Sequence, residues 1–141
     1  FARPAVTAPE RALVDTVVAT TGDHVWLAQE NQLDAVTALS GSGPAYVFYF
    51  LEAMVRAGTG MGLTEAQARQ LAVGTFSGGA ALAGASSDPL QLLRERVTSK
   101  GGTTYAALTS LETSGVKDAF VRAMQAAQQR AEELGDEFGK A

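Results

Sequence analysis

The sequence predicts an all-α fold of six or seven helices with one short strand, and three observations carry that prediction. Apolar residues recur at helical spacing through most of the chain. Two pairs have capping-box spacing, Thr7 with Glu10 and Thr64 with Gln67. Glycine and proline fall between the periodic stretches, where helices stop and start.

The opening FARPAVTAPE reads as a linker running into a helix, with Pro9 in the first turn. A piece of a longer protein is therefore expected. Leu13, Val14, Val17 and Val18 give this helix a half-buried stripe, and Gly22 is expected to end it. HVWLA, residues 24–28, is β-prone and reads as a single edge strand without a partner in the chain. Leu33, Val36 and Leu39 make a short helical face, after which SGSGP is expected to break the chain. Pro44 suits the start of a helix reaching about Gly60. Residues Tyr46 to Leu51 have no polar side, which predicts a helix buried all round.

The next helix, from Thr64 to about Ala85, holds Gly74, Gly78 and Gly79. Glycine inside a helix costs about 0.5–1 kcal/mol relative to alanine, so another backbone is expected to pass close by. Asp88-Pro89 is expected to cap a helix ending near Val97, and a further helix spans about Thr103 to Glu112. The last begins at Val116 and carries one apolar seam through Phe120, Met124, Ala127, Ala131, Leu134 and Phe138. Two helices without a polar side exceed what a chain of 141 residues can cover, which predicts an intertwined homodimer.

Composition narrows the function. A net charge of −4 argues against non-specific nucleic-acid binding. Without cysteine there is no disulfide, thiol nucleophile or thiolate metal site, and a reducing, cytoplasmic location is expected. His24 is the single histidine, and no metal site is expected. No apolar run approaches the roughly 20 residues of a membrane span.

The stretch VTSKGGTTYAAL, residues 97–108, stands apart. One reading is a plain joint, with glycine at a helix stop and threonine at the next start. The other is an anion site: amides at a helix start, left uncovered by Gly101 and Gly102, beside the hydroxyls of Ser99, Thr103 and Thr104. Such a site suits a small carboxylate. With no acid or base beside it, a cofactor would have to supply any difficult chemistry.

Three segments together resemble the pyrroline-5-carboxylate reductases: LDAVTALSGSGPAYVFYFLEAM (33–54), GMGLTEAQARQLA (60–72) and LRERVTSKGGTTYAALTSLE (93–112). The resemblance implies the helical C-terminal dimerisation domain of the 6-phosphogluconate-dehydrogenase-like type. Residues 1–29 would then abut a Rossmann domain and residues 30–141 form the helical domain. It implies reduction of 1-pyrroline-5-carboxylate to L-proline with NADPH or NADH, held mainly by the Rossmann domain. It also implies a homodimer, in some members joined into rings of dimers. Carried over by residue, the substrate contacts are Glu30, Val97, Ser99, Gly101, Gly102, Thr103 and Thr104. Thr104 would hydrogen-bond the ring nitrogen and is the catalytic candidate. Arg96, Ser42 and Gly43 would lie by the cofactor, although Arg96 also reads as a solvated helix residue and SGSGP as a simple helix break. Lys100 stands where some members have proline.

Two other readings remain open. Hydroxyacid dehydrogenases share the two-domain layout, but they use a helical lysine with asparagine one turn on; here Lys100 lies in a loop and Asn31 is the single asparagine. A non-catalytic dimerisation or anion-binding module is the other.

Overall fold

A computed structural model gives the fold, and it describes residues 1–139. The elements are α1 (Ala8–Val18), α2 (Gln32–Val36), a π turn (Thr37–Gly41), α3 (Gly43–Gly60), α4 (Glu65–Ala85), α5 (Leu90–Arg96), α6 (Thr103–Thr113) and α7 (Val116–Phe138). Two compact units divide the chain. One is residues 1–42 with the C-terminal part from Met124; the other is residues 43–123.

In the first unit, α1 starts where predicted. The Glu10 carboxylate accepts from both the amide and the hydroxyl of Thr7, each at 2.7 Å. These bonds hold the Glu10 carboxyl below the usual range. The helix ends at Val18, short of Gly22, as the Thr20 and Thr21 hydroxyls donate to the carbonyls of Val17 and Val18. Its apolar stripe is not covered within the chain: Leu13 is 66% exposed and Val17 59%.

The expected strand at 24–28 does not form, and the described residues contain no strand. A lone β-prone segment has no ladder to join. It has no regular structure and is pinned to α1 by side chains instead. Asp15 Oδ1 lies 2.7 Å from His24 Nε2 and accepts from Trp26 Nε1 at 2.6 Å, while the Arg11 guanidinium sits 4.3 Å over the Trp26 ring. Hydrogen bonds from Trp26, then from His24, hold the Asp15 carboxyl below its ordinary range.

SGSGP is not a break. The Ser42 amide reaches the Thr37 carbonyl at 2.8 Å, closing a wide turn, and Ser42 itself keeps helical angles before α3 begins. Small residues let the chain change from α to π and back without leaving helical space.

In the second unit, α3 and α4 form a closely packed hairpin. Thr64 and Gln67 complete a reciprocal capping box at the start of α4. The close approach predicted for the α4 glycines occurs elsewhere. A Cβ on Gly58 of α3 would meet the Ala68 Cβ at 2.9 Å, whereas Gly74, Gly78 and Gly79 have open space around them. Tyr46 and Phe50 on α3 pack edge-on against Phe120 of α7, with centroids 5.7 and 5.4 Å apart. The rest of the Tyr46–Leu51 face is not buried: Phe48 is 61% exposed and Tyr49 70%. Among the described residues the buried apolar side chains are Ala38, Ala68 and Ala72.

Candidate functional site

The site is built where α5 ends and α6 begins. Pro89 stands at the N-cap of α5 and no side chain caps it; the Asp88 carboxylate pairs with Arg96 instead. The far end of α5 closes on the Arg94 carbonyl, which accepts from the Val97 amide at 3.3 Å and the Thr98 hydroxyl at 2.6 Å. Val97 follows as the C-cap, with its side chain 66% exposed.

Ser99 to Gly102 then form a tight turn, the Gly102 amide donating to the Ser99 carbonyl at 3.0 Å. Gly101 takes φ +76°, while Lys100 has negative φ. That is the φ pattern of a type II turn, whose third position needs glycine and whose second suits proline. Space favours glycine at 102: a Cβ there would lie 2.9 Å from Ser99 Oγ and 3.2 Å from the Ser99 carbonyl oxygen, so both would have to shift. The turn therefore accounts for both glycines, each for a different reason.

What remains for a ligand differs from the sequence expectation in one respect. The Gly102 amide is engaged in the turn, so it is not an open donor. Gly102 is the N-cap of α6 at φ −81°, ψ 177°, and no side chain caps the helix. The donors left without an intrahelical partner are the first-turn amides of Thr103, Thr104 and Tyr105. Tyr105 was not among the predicted contacts. Its role follows from the N-cap position, which glycine gives no side-chain signal for. Ser99, Thr103 and Thr104 are all exposed around this turn.

Two of the three nearby cations are engaged. Arg94 pairs with Glu112 at 2.9 Å and Arg96 with Asp88. Lys100 has no ion pair among the described residues. Amides, dipole and Lys100 all favour an anion, and no carboxylate sits on the turn itself. The chemistry on offer is to grip a carboxylate and to place a hydroxyl beside it. No group of three or more metal-ligating side chains occurs among the described residues, and no described helix is long and apolar enough to cross a membrane.

The other predicted contacts fall as follows. Gly43 opens α3 in the same unit as the turn; Ser42 and Glu30 belong to the first unit. The Glu30 carbonyl accepts from Leu33 at 2.9 Å in the turn before α2, and its side chain is exposed. Arg96, Ser42 and Gly43 do not make a dinucleotide site by themselves. Arg96 is held by Asp88, Ser42 closes the π turn, and no strand leads into a glycine-rich loop.

Residues 30–134 match the model of the family described as pyrroline-5-carboxylate reductase dimerisation. The chain belongs to this family. A pyrroline-5-carboxylate reductase of Corynebacterium melassecola is 45% identical over 130 residues, which cover 92% of this chain and 48% of that protein. Among solved structures, a pyrroline-5-carboxylate reductase from Coxiella burnetii superposes with a TM-score of 0.91 at 37% identity, over 95% of this chain and 50% of that one. The Plasmodium falciparum pyrroline carboxylate reductase, solved with NADP bound, gives 0.86 at 30% identity, over 96% and 55%. The chain thus spans about half the length of the relatives it matches.

Proposed function

We propose that this chain is the dimerisation and substrate-binding half of a pyrroline-5-carboxylate reductase, which makes L-proline in the cytoplasm from 1-pyrroline-5-carboxylate. The observation that carries the reading is an uncapped helix start, preceded by a turn that favours glycine at 101 and 102, in a chain of this family. The first-turn amides of Thr103, Thr104 and Tyr105 receive the substrate carboxylate, with Lys100 adding positive charge. The exposed Val97 side chain lies along the apolar edge of the ring. Thr104 presents its hydroxyl to the ring nitrogen.

NADPH or NADH, held mainly by a Rossmann domain outside this chain, would supply hydride to the imine carbon. Residues 1–29 would abut that domain, with residues 30–141 as the helical half. Arg96, Ser42 and Gly43 would each contribute to cofactor binding, Arg96 with the guanidinium nitrogens that Asp88 leaves open. A threonine hydroxyl is too weak an acid to protonate the imine outright. Thr104 therefore orients the ring and relays a proton from water, and positioning supplies most of the rate.

The test is NADPH oxidation by the intact protein with 1-pyrroline-5-carboxylate. Thr104→Ala should lower kcat/KM more than about tenfold, equivalent to roughly 1.4 kcal/mol or more of lost transition-state stabilisation, and Thr104→Ser should recover most of it. An unchanged rate in Thr104→Ala refutes the role of the hydroxyl. Absence of any turnover by the intact protein favours a module that binds without catalysis.

A further inference from the structure

One ion pair, Arg94–Glu112, bridges the two helices that frame the turn. Among the described residues the backbones of α5 and α6 scarcely approach one another. A cleft lies between them on either side of Arg94 and Glu112. On one side it is apolar, about 230 Å³, reaching Phe50, Leu111 and Phe120. On the other it is mixed in character, about 150 Å³, reaching Glu95, Thr98, Tyr105 and Thr109. Arg94, Leu108 and Glu112 border both cavities, so the ion pair spans the cleft.

Arg94 also holds the segment that leads into the turn. Its carbonyl takes the Thr98 hydroxyl at 2.6 Å, and its guanidinium donates to Glu112 Oε1 at 2.9 Å. One residue therefore holds the residue preceding the turn through its backbone and the body of α6 through its side chain. The first-turn amides of α6 can keep a fixed position against Val97 only while the angle between α5 and α6 is fixed.

We propose that Arg94 and Glu112 form a strap that positions the carboxylate-binding turn and thereby sets affinity for the cyclic amino acid. Both are positioning residues, since neither needs to touch the ligand. The inference rests on the functional reading given above, because it assigns a role to that same turn.

Arg94→Met, Glu112→Gln and the exchanged pair R94E/E112R are compared in the intact protein. The measurements are kcat and KM for 1-pyrroline-5-carboxylate, Kd for L-proline, and Tm. The pair is partly exposed, so each single change should raise KM and proline Kd by about three- to fivefold while kcat stays within about twofold. The exchanged pair should return both to within about twofold of the starting protein, which loss of fold alone would not do. In 1 M salt the gap between single variants and parent should narrow, because exposed charges are screened.

Unchanged KM and Kd in the single variants overturn the proposal, as does an exchanged pair no better than the singles. If a single variant fails to fold, the exchanged pair decides on the same criterion. Thr104→Ala in the same assays separates the two levels. A large Thr104 effect without an Arg94 effect sinks the strap alone; a silent Thr104 change takes down the functional reading and the strap with it.

Discussion

Gly101 and Gly102 sit side by side for unrelated reasons. The first supplies a left-handed backbone and the second leaves room for Ser99. Gly101→Ala should therefore cost about 1–2 kcal/mol of folding stability, seen as a lower midpoint in urea unfolding. Lys100→Pro should be tolerated, since that position of the turn has the negative φ proline requires. The turn was legible in the sequence because its glycine pair falls between two helical stretches and is followed by threonines, unlike Gly78 and Gly79 inside α4. Its hydrogen bond was not legible, and with it went the expectation that the Gly102 amide is open to ligand. The Arg94–Glu112 pair was also missed, because nothing in local spacing joins residues on different helices.

At the scale of single elements, Gly58 fixes the closest approach of α3 and α4. Gly58→Ala would force two Cβ atoms to 2.9 Å, and should destabilise by about 1–3 kcal/mol as measured by thermal unfolding. The segment 23–28 is held by Asp15, and this contact depends on pH. The folded Asp15 carboxyl titrates below its ordinary range. Its contribution to stability is therefore fully present above the ordinary aspartate range and is lost as pH falls through the lower, folded value. Fluorescence of Trp26, the single tryptophan, should report release of this segment below about pH 4, near the ordinary aspartate pKa. Asp15→Asn should flatten that acid transition.

Most helices were legible because capping boxes, Pro44 and the α7 seam are local signals. The strand failed for the opposite reason: pairing is never local, and β-propensity without a neighbouring strand settles nothing. The open space around Gly74, Gly78 and Gly79 was equally illegible, since sequence does not say which chain a close neighbour comes from.

For the whole molecule, the shortage of buried apolar side chains is the dominant fact. Ala38, Ala68 and Ala72 do not make a core for a chain of 141 residues, while Phe48, Tyr49, Leu71 and Leu82 stand exposed. Covering these faces with a second copy agrees with the family's description as a dimerisation domain. Sedimentation should find dimers or assemblies of dimers, and dilution should bring dissociation and unfolding together, because stability then depends on protomer concentration. A folded monomer at low concentration would contradict this.

As proposed, the first-turn amides of α6, beside Thr104, hold the carboxylate of a cyclic amino acid. A crystal structure of the intact protein with L-proline tests it most directly. The proline carboxylate should lie about 3 Å from the amides of Thr103 to Tyr105, with the ring nitrogen facing the Thr104 hydroxyl. Proline bound elsewhere, with this turn touching only water, would contradict it.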